Sequence, residues 1–394
     1  MFGTEVVGIL LLLWSLVCLG TWPALLRLGC GEWSSQPRAV SLVYLDYALT
    51  YVGVSTVPLL SALCLSPRMV DDPDEPSLFT APLVAAATLG GTLLALGNLS
   101  YQWTTAVGNQ PVTTVLCVQG SLTVVLGAGV NYGLEPEMTT RPEYLAAGVV
   151  VFLLAIALAT RAQVLQQKQK ERLEQAYYHW TPDGEFTSSS SSASVDTITE
   201  NKKERNHSWL GTGMALLGGL AYGFFSPAFN VAVNDPFDWS ERPKDSYYYN
   251  EHRTKRDPSL LVFYANLWFS LAFGVISVVG NLALLRLQMP EENLYHIVWK
   301  YLTQTSWVDR RVAFLAGIVC AAGNVLQFQG AQHVGYATAD LVQAYPLVST
   351  VWDILLFGEF ASVRWCHSWL SFLLFGMYLS YVGGIVLLAL SCFD

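Results

Sequence analysis

Charged side chains are scarce in this sequence, and their scarcity excludes most soluble folds. Only 13% of the 394 residues are charged, which is about half the share in an average soluble domain, and 53% are hydrophobic. This composition is typical of an integral membrane protein. The seven cysteines are scattered along the chain, which favours packing roles over a disulfide framework.

Motifs for nucleotide or metal chemistry are missing as well. The sequence has no GxxxxGK[ST] loop, no HExxH pair and no GxGD match to an intramembrane aspartyl protease. We therefore expect no enzyme activity, no cofactor, no metal site and no nucleic-acid partner. The apolar runs also lack Lys and Arg in their interiors, Arg27 being the nearest, so a strongly anionic ligand is not expected.

Long apolar runs are abundant. A helix that crosses about 30 Å of hydrocarbon needs about 20 residues, because it rises about 1.5 Å per residue. Residues 76–134 contain no charged side chain and are long enough for two such helices. The sequence predicts ten transmembrane helices, at Val6–Leu26, Tyr47–Pro67, two within Pro76–Leu134, Tyr144–Thr160, Ser208–Asn234, Pro258–Leu285, Val312–Gln332, 337–357 and Ser368–Phe393.

The ten predicted helices divide into two similar halves. Residues 1–162 form a first five-helix repeat, residues 163–208 a polar, partly disordered linker, and residues 209–394 a second repeat. The segment "LGNLSYQWTTAVG" in the first half is echoed by "AGNVLQFQGAQHVG" in the second. Since five is odd, the second repeat would be inserted upside down, as in the drug/metabolite transporter fold. Chance similarity between apolar segments is the alternative.

The basic residues predict the orientation of the chain. With the amino terminus outside, 14 of the 21 Lys and Arg residues lie on the cytoplasmic side, where they are normally enriched. We therefore predict a multi-pass protein of the plasma membrane with a cytoplasmic linker.

Polar and aromatic residues within the predicted helices suggest a ligand site. Amide side chains present a donor beside an acceptor, which suits a neutral ligand with amide or imide edges, and neighbouring rings suit a flat heterocycle. The alternative is that these residues only join helices to one another. The predicted ligand-binding residues are Asn98, Tyr101, Gln102, Gln119, Phe225, Asn230, Asn324, Gln327, Phe328 and Gln343.

Two carboxylates are candidates for proton coupling, because ionisable groups inside membranes often mark proton pathways. Asp340 begins the polar face of the ninth predicted helix, and Asp46 lies at a helix entrance where anchoring is the alternative. Pro23, Pro227 and Pro346 are predicted hinges, since proline interrupts helical hydrogen bonding.

Six blocks together resemble the ureide permease family: "GTWPALL", "YLDY", "LGNLSYQ", "FSPAFNVAVND", "GNVLQFQGAQHVGYATAD" and "VQAYPLVSTVWDILLFGEF". The chain departs from the family in its linker, in the charged loop 235–257 and at Asp353. The resemblance implies proton-coupled uptake of allantoin and related oxo-heterocycles such as uracil, xanthine and uric acid. An exporter of amino acids or other small metabolites and a non-transporting membrane sensor on the same scaffold are the alternatives.

Overall fold

The computed structural model of the protein describes residues 2–32, 39–65, 80–106, 112–180, 193–237, 239, 258–358 and 369–393. Within these ranges every regular element is helical. The α-helices are α1 (Phe2–Arg27), α2 (Val40–Leu65), α3 (Ala81–Ala106), α4 (Val112–Leu134), α5 (Pro142–Trp180), α6 (Ala193–Asn234), α7 (Pro258–Gln288), α8 (Leu294–Gln304), α9 (Trp307–Val334), α10 (Tyr336–Ala339), α11 (Tyr345–Phe357) and α12 (Trp369–Leu390). A π-helical turn, Leu28–Glu32, follows α1, and 3-10 turns occupy Pro136–Met138 and Asp340–Ala344.

Eight of the described helices are long and apolar enough to cross a membrane, namely α1, α2, α3, α5, α6, α7, α9 and α12. The prediction of an all-α membrane protein is therefore confirmed. In the predicted linker, α5 continues to Trp180 and α6 begins at Ala193, while the serine run at 188–192 lies outside the described residues.

The long helices pack in a small number of extensive pairs. Helix α1 packs on α9, α3 packs on both α6 and α7, α2 packs on both α7 and α9, α4 packs on α6, and α5 packs on α12. Glycines allow the closest approaches: a Cβ atom on Gly91 of α3 would overlap the backbone of Phe269 on α7. On α9, a Cβ atom on Gly317 would lie 2.6 Å from the carbonyl oxygen of Tyr47 on α2.

The segment predicted as a single helix at 337–357 is broken. It consists of α10, the 3-10 turn Asp340–Ala344 and the 13-residue α11, and it is preceded by Gly335 with a positive φ of 85°. Pro346 stands in the first turn of α11, where its missing N–H costs no helical hydrogen bond. The break that we expected at the other two prolines is absent, because α1 runs through Pro23 and α6 runs through Pro227.

Helix α8 is short and amphipathic, and it leads into α9. The Asn293 side chain caps its start by accepting a hydrogen bond from the Tyr295 backbone N–H at 3.0 Å. Ile297 and Tyr301 are buried, whereas Tyr295 and Trp299 are exposed and stacked on each other. Tyr301 thereby points toward the bundle, and the aromatic pair on the opposite side suits a membrane interface.

Candidate functional site

The polar side chains inside the bundle lie in layers between two ends. We call the end where α1 and α11 finish and α2 and α9 begin the ion-pair end, because Arg27 contacts Asp353 there and Arg310 contacts Asp46. We call the opposite end, where α4 and α6 finish, the Glu135 end. Between the ion-pair end and the Glu135 end, the interior side chains form three successive layers.

At the ion-pair end, Asp46 is fully paired. The Arg310 guanidinium donates from Nε to Asp46 Oδ2 at 2.7 Å and from its terminal nitrogen to Oδ1 at 2.5 Å, and Tyr301 Oη donates to Oδ2 at 2.7 Å. Asp46 is 1% exposed. The second pair, between Arg27 and Asp353 at 3.2 Å, is more open to solvent, with side chains 37% and 25% exposed.

Next to this end lies a layer of amide, tyrosine and tryptophan side chains, which we call the amide–tyrosine layer. Asn98 Oδ1 on α3 accepts a hydrogen bond of 2.6 Å from Tyr222 on α6. Asn324 Nδ2 on α9 donates to the Tyr51 hydroxyl on α2 at 2.8 Å.

Tyr47 on α2 completes the layer. Its hydroxyl donates to the Cys320 sulfur at 3.1 Å, and its ring stacks on Trp22 with ring centroids 5.3 Å apart. Five helices, α1, α2, α3, α6 and α9, thus contribute rings or hydrogen-bonding groups to this layer.

Several amides in or near this layer are buried. Gln327 is 1% exposed, and neither its Nε2 nor its Oε1 has a hydrogen-bond partner among the described residues. Gln119 is 3% exposed and its Nε2 likewise lacks a partner there. Gln102 is 4% exposed, and Tyr101 and Tyr345 are half-buried. Leaving a buried amide unpaired costs about 1–3 kcal/mol, so Gln327 in particular is arranged as if to bind a polar ligand.

An aromatic layer follows, made of Phe225, Phe229, Phe269 and Phe328. Phe229 and Phe328 stack with centroids 3.6 Å apart and planes 9° from parallel, and Phe269 meets Phe328 edge-on at 5.3 Å. Phe225 lies 6.3 Å from Phe269. Phe225 and Phe328 were predicted to bind a ligand; in the structure Phe225 contacts Phe269 on α7, and Phe328 contacts Phe229 on α6 and Phe269.

Beyond the aromatic layer, at the Glu135 end, amides from α4 and α6 are linked by hydrogen bonds. Asn131 Nδ2 donates to Ser226 Oγ at 3.2 Å, and Asn230 Nδ2 donates to Asn131 Oδ1 at 3.2 Å. Asn234 Nδ2 donates to Asn230 Oδ1 at 2.9 Å and also to Glu135 Oε1. We call this group the outer polar layer. Asn230, predicted as a ligand residue, therefore lies on the far side of the aromatic layer from Gln327.

Gln332 on α9 extends the outer polar layer. Its Nε2 donates to Asn234 Oδ1 at 3.3 Å and to the Tyr336 hydroxyl at 3.2 Å.

Asp340 adjoins the outer polar layer. It is 1% exposed, and a Cβ atom on Gly127 of α4 would lie 2.9 Å from its Oδ2. Asn131, one turn along α4 from Gly127, lies near this carboxyl group, but no group in the described ranges forms a hydrogen bond with either oxygen. Gln343 is half-buried in the same 3-10 turn. The two predicted coupling carboxylates thus lie toward opposite ends: Asp46 is paired, and Asp340 has no hydrogen-bond partner among the described residues.

Sequence reasoning missed Arg310, Tyr301, Asn131 and Glu135. Arg310 is 264 residues from Asp46 in the chain, and the helix that carries it was predicted to begin only at Val312. Asn131 could have been found, because an amide inside an apolar helix is itself a signal. In the part of the chain described by the structure, no group of three or more His, Cys, Asp and Glu side chains could hold a metal ion.

Comparison with known proteins gives consistent matches. A sequence profile described as Ureide permease matches residues 43–208 and 196–391. The chain is 34% identical over 382 residues to Ureide permease 2 of Arabidopsis thaliana, which covers 89% of this chain and 88% of that protein. It is 33% identical to Ureide permease 1 of the same plant, covering 89% and 88%. It is 30% identical to Probable ureide permease A3 of Vigna unguiculata, covering 88% and 93%.

Proposed function

Because the chain belongs to the ureide permease family, it is a multi-pass membrane transporter and not an enzyme, and we propose that it takes up oxo derivatives of nitrogen heterocycles by proton symport. Allantoin, uracil, xanthine and uric acid are the proposed substrates. The names of the relatives support a ureide, and the buried unpaired amide of Gln327 carries the assignment of the site.

The chemistry of the amide–tyrosine layer suits such substrates. An oxo-heterocycle presents a ring C=O beside a ring N–H, and a carboxamide such as that of Gln327 pairs with this edge through one donor and one acceptor. Tyr47 and Trp22 offer ring faces nearby. The two arginines at the ion-pair end already contact carboxylates, which favours a neutral or weakly acidic substrate over a strongly anionic one.

The pattern of helix packing supports ten spans arranged as an inverted repeat, with α4 and residues 336–357 as the fourth and ninth spans. Replacing each helix by its counterpart five spans away converts the α1–α9 pair into α6–α3 and the α2–α9 pair into α7–α3. The α2–α7 and α5–α12 pairs convert into themselves. All of these pairs are extensive, as an approximate two-fold axis in the membrane plane would require.

Asp340 is the better candidate for proton coupling. Arg310 and Tyr301 satisfy the ionised carboxylate of Asp46, so protonating it would leave a partly buried guanidinium without its counter-ion. Asp340 has no such partner among the described residues. The break at Pro346 lies between Asp340 and the rest of α11, so a change at the carboxyl group can be passed to Tyr345 beside the amide–tyrosine layer.

Uptake by cells that express the chain tests the proposal. Labelled allantoin and uracil should accumulate, and more so at acidic external pH. Asp340→Asn should reach the surface, lose acid-stimulated accumulation and keep exchange of internal for external substrate. Binding without accumulation would indicate a sensor, and net efflux of amino acids would indicate an exporter. Unchanged acid stimulation in Asp340→Asn would contradict the role of Asp340.

A further inference from the structure

A continuous line of polar side chains joins Glu135, at one end of the bundle, to the region of Asp340. Glu135 and Asn234 are half-buried, whereas Asn230 and Asn131 are 0% exposed. Each member is hydrogen-bonded to the next: Glu135 to Asn234, Asn234 to Asn230, and Asn230 to Asn131. Asn131 lies one turn along α4 from Gly127, whose added Cβ atom would be 2.9 Å from Asp340 Oδ2, so the line ends beside the Asp340 carboxyl group. The line therefore runs from a partly exposed carboxylate to a fully buried one.

This line does not pass through the amide–tyrosine layer. Along α6, Phe229 lies between Tyr222 and Asn230 in the chain, and along α9, Phe328 lies between Gln327 and Gln332. The stacked rings of Phe229 and Phe328 join across the two helices at 3.6 Å. On α6 and α9, an apolar contact therefore lies between the amide–tyrosine layer and the outer polar layer, which the line to Asp340 belongs to.

We infer that Glu135, Asn234, Asn230 and Asn131 form the route by which the coupling proton reaches Asp340, and that this route is separate from the path of the ligand. The inference rests on the proposed role of Asp340. In this route, Glu135 is the group that takes up the proton from solvent, and Asn131 positions the water from which the proton passes to Asp340. None of these residues touches the ligand.

The chemistry of the line fits proton entry by way of water. Carboxamides do not release protons, but each presents two donors and an acceptor that can hydrogen-bond a row of water molecules. Glu135 takes a proton from hydronium at its end of the bundle and becomes neutral. The proton then moves through water to a carboxylate oxygen of Asp340, which becomes neutral, and Glu135 is ionised again. No bond to the ligand is made or broken.

Other titratable groups near this end are not members of the hydrogen-bonded line from Glu135 to Asn131. No described group meets hydrogen-bond geometry with the Asp340 oxygens. Titratable groups on the elements packed around the broken segment include Glu5 on α1, Cys117 and Tyr132 on α4, Tyr222 on α6, His333 on α9, Tyr336 on α10, Tyr345 on α11, and Tyr381 and Cys392 on and after α12. Tyr336 is connected to the line only through Gln332.

The test compares Glu135→Gln with Glu137→Gln. Both variants remove one negative charge from the same short segment, but Glu137 is exposed and lies in the 3-10 turn outside the line. Purified protein in liposomes with an internal pH dye reports proton movement driven by an allantoin gradient. In Glu135→Gln, this proton flux should fall about tenfold, a modest effect for loss of a proton-transfer group. Exchange of labelled for unlabelled allantoin should be unchanged, and Glu137→Gln should match the unmodified protein.

Two further variants guard against a purely structural effect. Glu135→Asp keeps a carboxylate and should restore part of the proton flux. Asn131→Leu interrupts the line beside Asp340 and should lower the proton flux while allantoin exchange persists. If Glu135→Gln and Asn131→Leu both keep the unmodified flux while Asp340→Asn loses it, the route is wrong and the role of Asp340 stands. If Asp340→Asn also keeps its flux, the proposed coupling role fails and the route fails with it.

Discussion

Arg310 at the start of α9 and Asp46 at the start of α2 form a two-hydrogen-bond ion pair that joins the two halves of the chain. The side chains are only 14% and 1% exposed, and Tyr301 adds a third hydrogen bond from α8. The Arg27–Asp353 pair also joins the two halves at the same end, but its side chains are 37% and 25% exposed. The two pairs therefore allow a matched comparison of burial.

We expect Asp46→Asn to destabilise the protein strongly. Removing one member of a buried ion pair leaves the other charge uncompensated, which costs about 3–5 kcal/mol. Asp353→Asn should cost about 0–1 kcal/mol, because that pair is better solvated. Thermal unfolding of the detergent-purified variants measures both. Equal losses of stability in the two variants would mean that the burial of the Asp46–Arg310 pair does not determine how much the pair stabilises the protein.

The second prediction concerns substrate recognition by Gln327. If its carboxamide pairs with an imide edge, Gln327→Leu removes that pairing at a cost of about 1–3 kcal/mol, and KM for allantoin should rise about tenfold. Gln166→Leu is the control, since Gln166 on α5 is also buried and its Nε2 has no partner among the described residues, but it lies outside the amide–tyrosine layer. The same KM in both variants, at equal surface levels, would make Gln327 a packing residue.

Helix positions were largely predictable from the sequence, because length and apolarity alone decide whether a helix can cross a membrane. The broken segment shows the limit of this reasoning. The sequence predicts one unbroken helix over 337–357 with Asp340 at the start of its polar face. The 3-10 turn and the positive φ of Gly335 changed that geometry.

The sequence predicted which types of residue lie in the candidate site better than it predicted how those residues are arranged in space. The sequence identified Asn98, Asn324 and Gln327 as polar residues in apolar helices. It could not show that Asn230 lies beyond the Phe229–Phe328 stack, because that separation depends on how α6 meets α9. Nor could it pair Asp46 with Arg310, since partners that are distant in the chain leave no local pattern.

The third prediction concerns the close contact of α3 with α7. Gly91→Ala would place a methyl group on the Phe269 backbone, which cannot move aside as a flexible side chain can. We expect a loss of about 1–3 kcal/mol, typical of overpacking. Gly129→Ala on α4 is the control, because nothing lies within 4 Å of its added Cβ atom and alanine is the better helix former. Similar melting temperatures for the two variants would contradict the close packing.

The fourth prediction tests the proposed orientation. Asn206-His-Ser208 is a sequence for N-linked glycosylation, which takes place only on the outer side of the membrane. If the linker is cytoplasmic, Asn206 carries no glycan, and glycosidase treatment leaves the electrophoretic mobility unchanged. A sequon engineered into the 240–257 loop, on the opposite side, is the positive control. A glycan on Asn206 would reverse the orientation.

The last prediction concerns the barrier between the two polar layers. Phe328 is 0% exposed, stacks on Phe229 and meets Phe269 edge-on, so Phe328→Ala removes a ring from a closely packed group. We expect a loss of about 3–5 kcal/mol, as for other buried phenylalanines. The gap would also join the amide–tyrosine layer to the outer polar layer, so protons should leak through the variant in liposomes without substrate. Phe372→Ala on α12 provides the control, because Phe372 is 64% exposed on the outer surface of the bundle. A destabilised Phe328→Ala protein that admits no protons would show that the stack supports the fold but does not separate the layers.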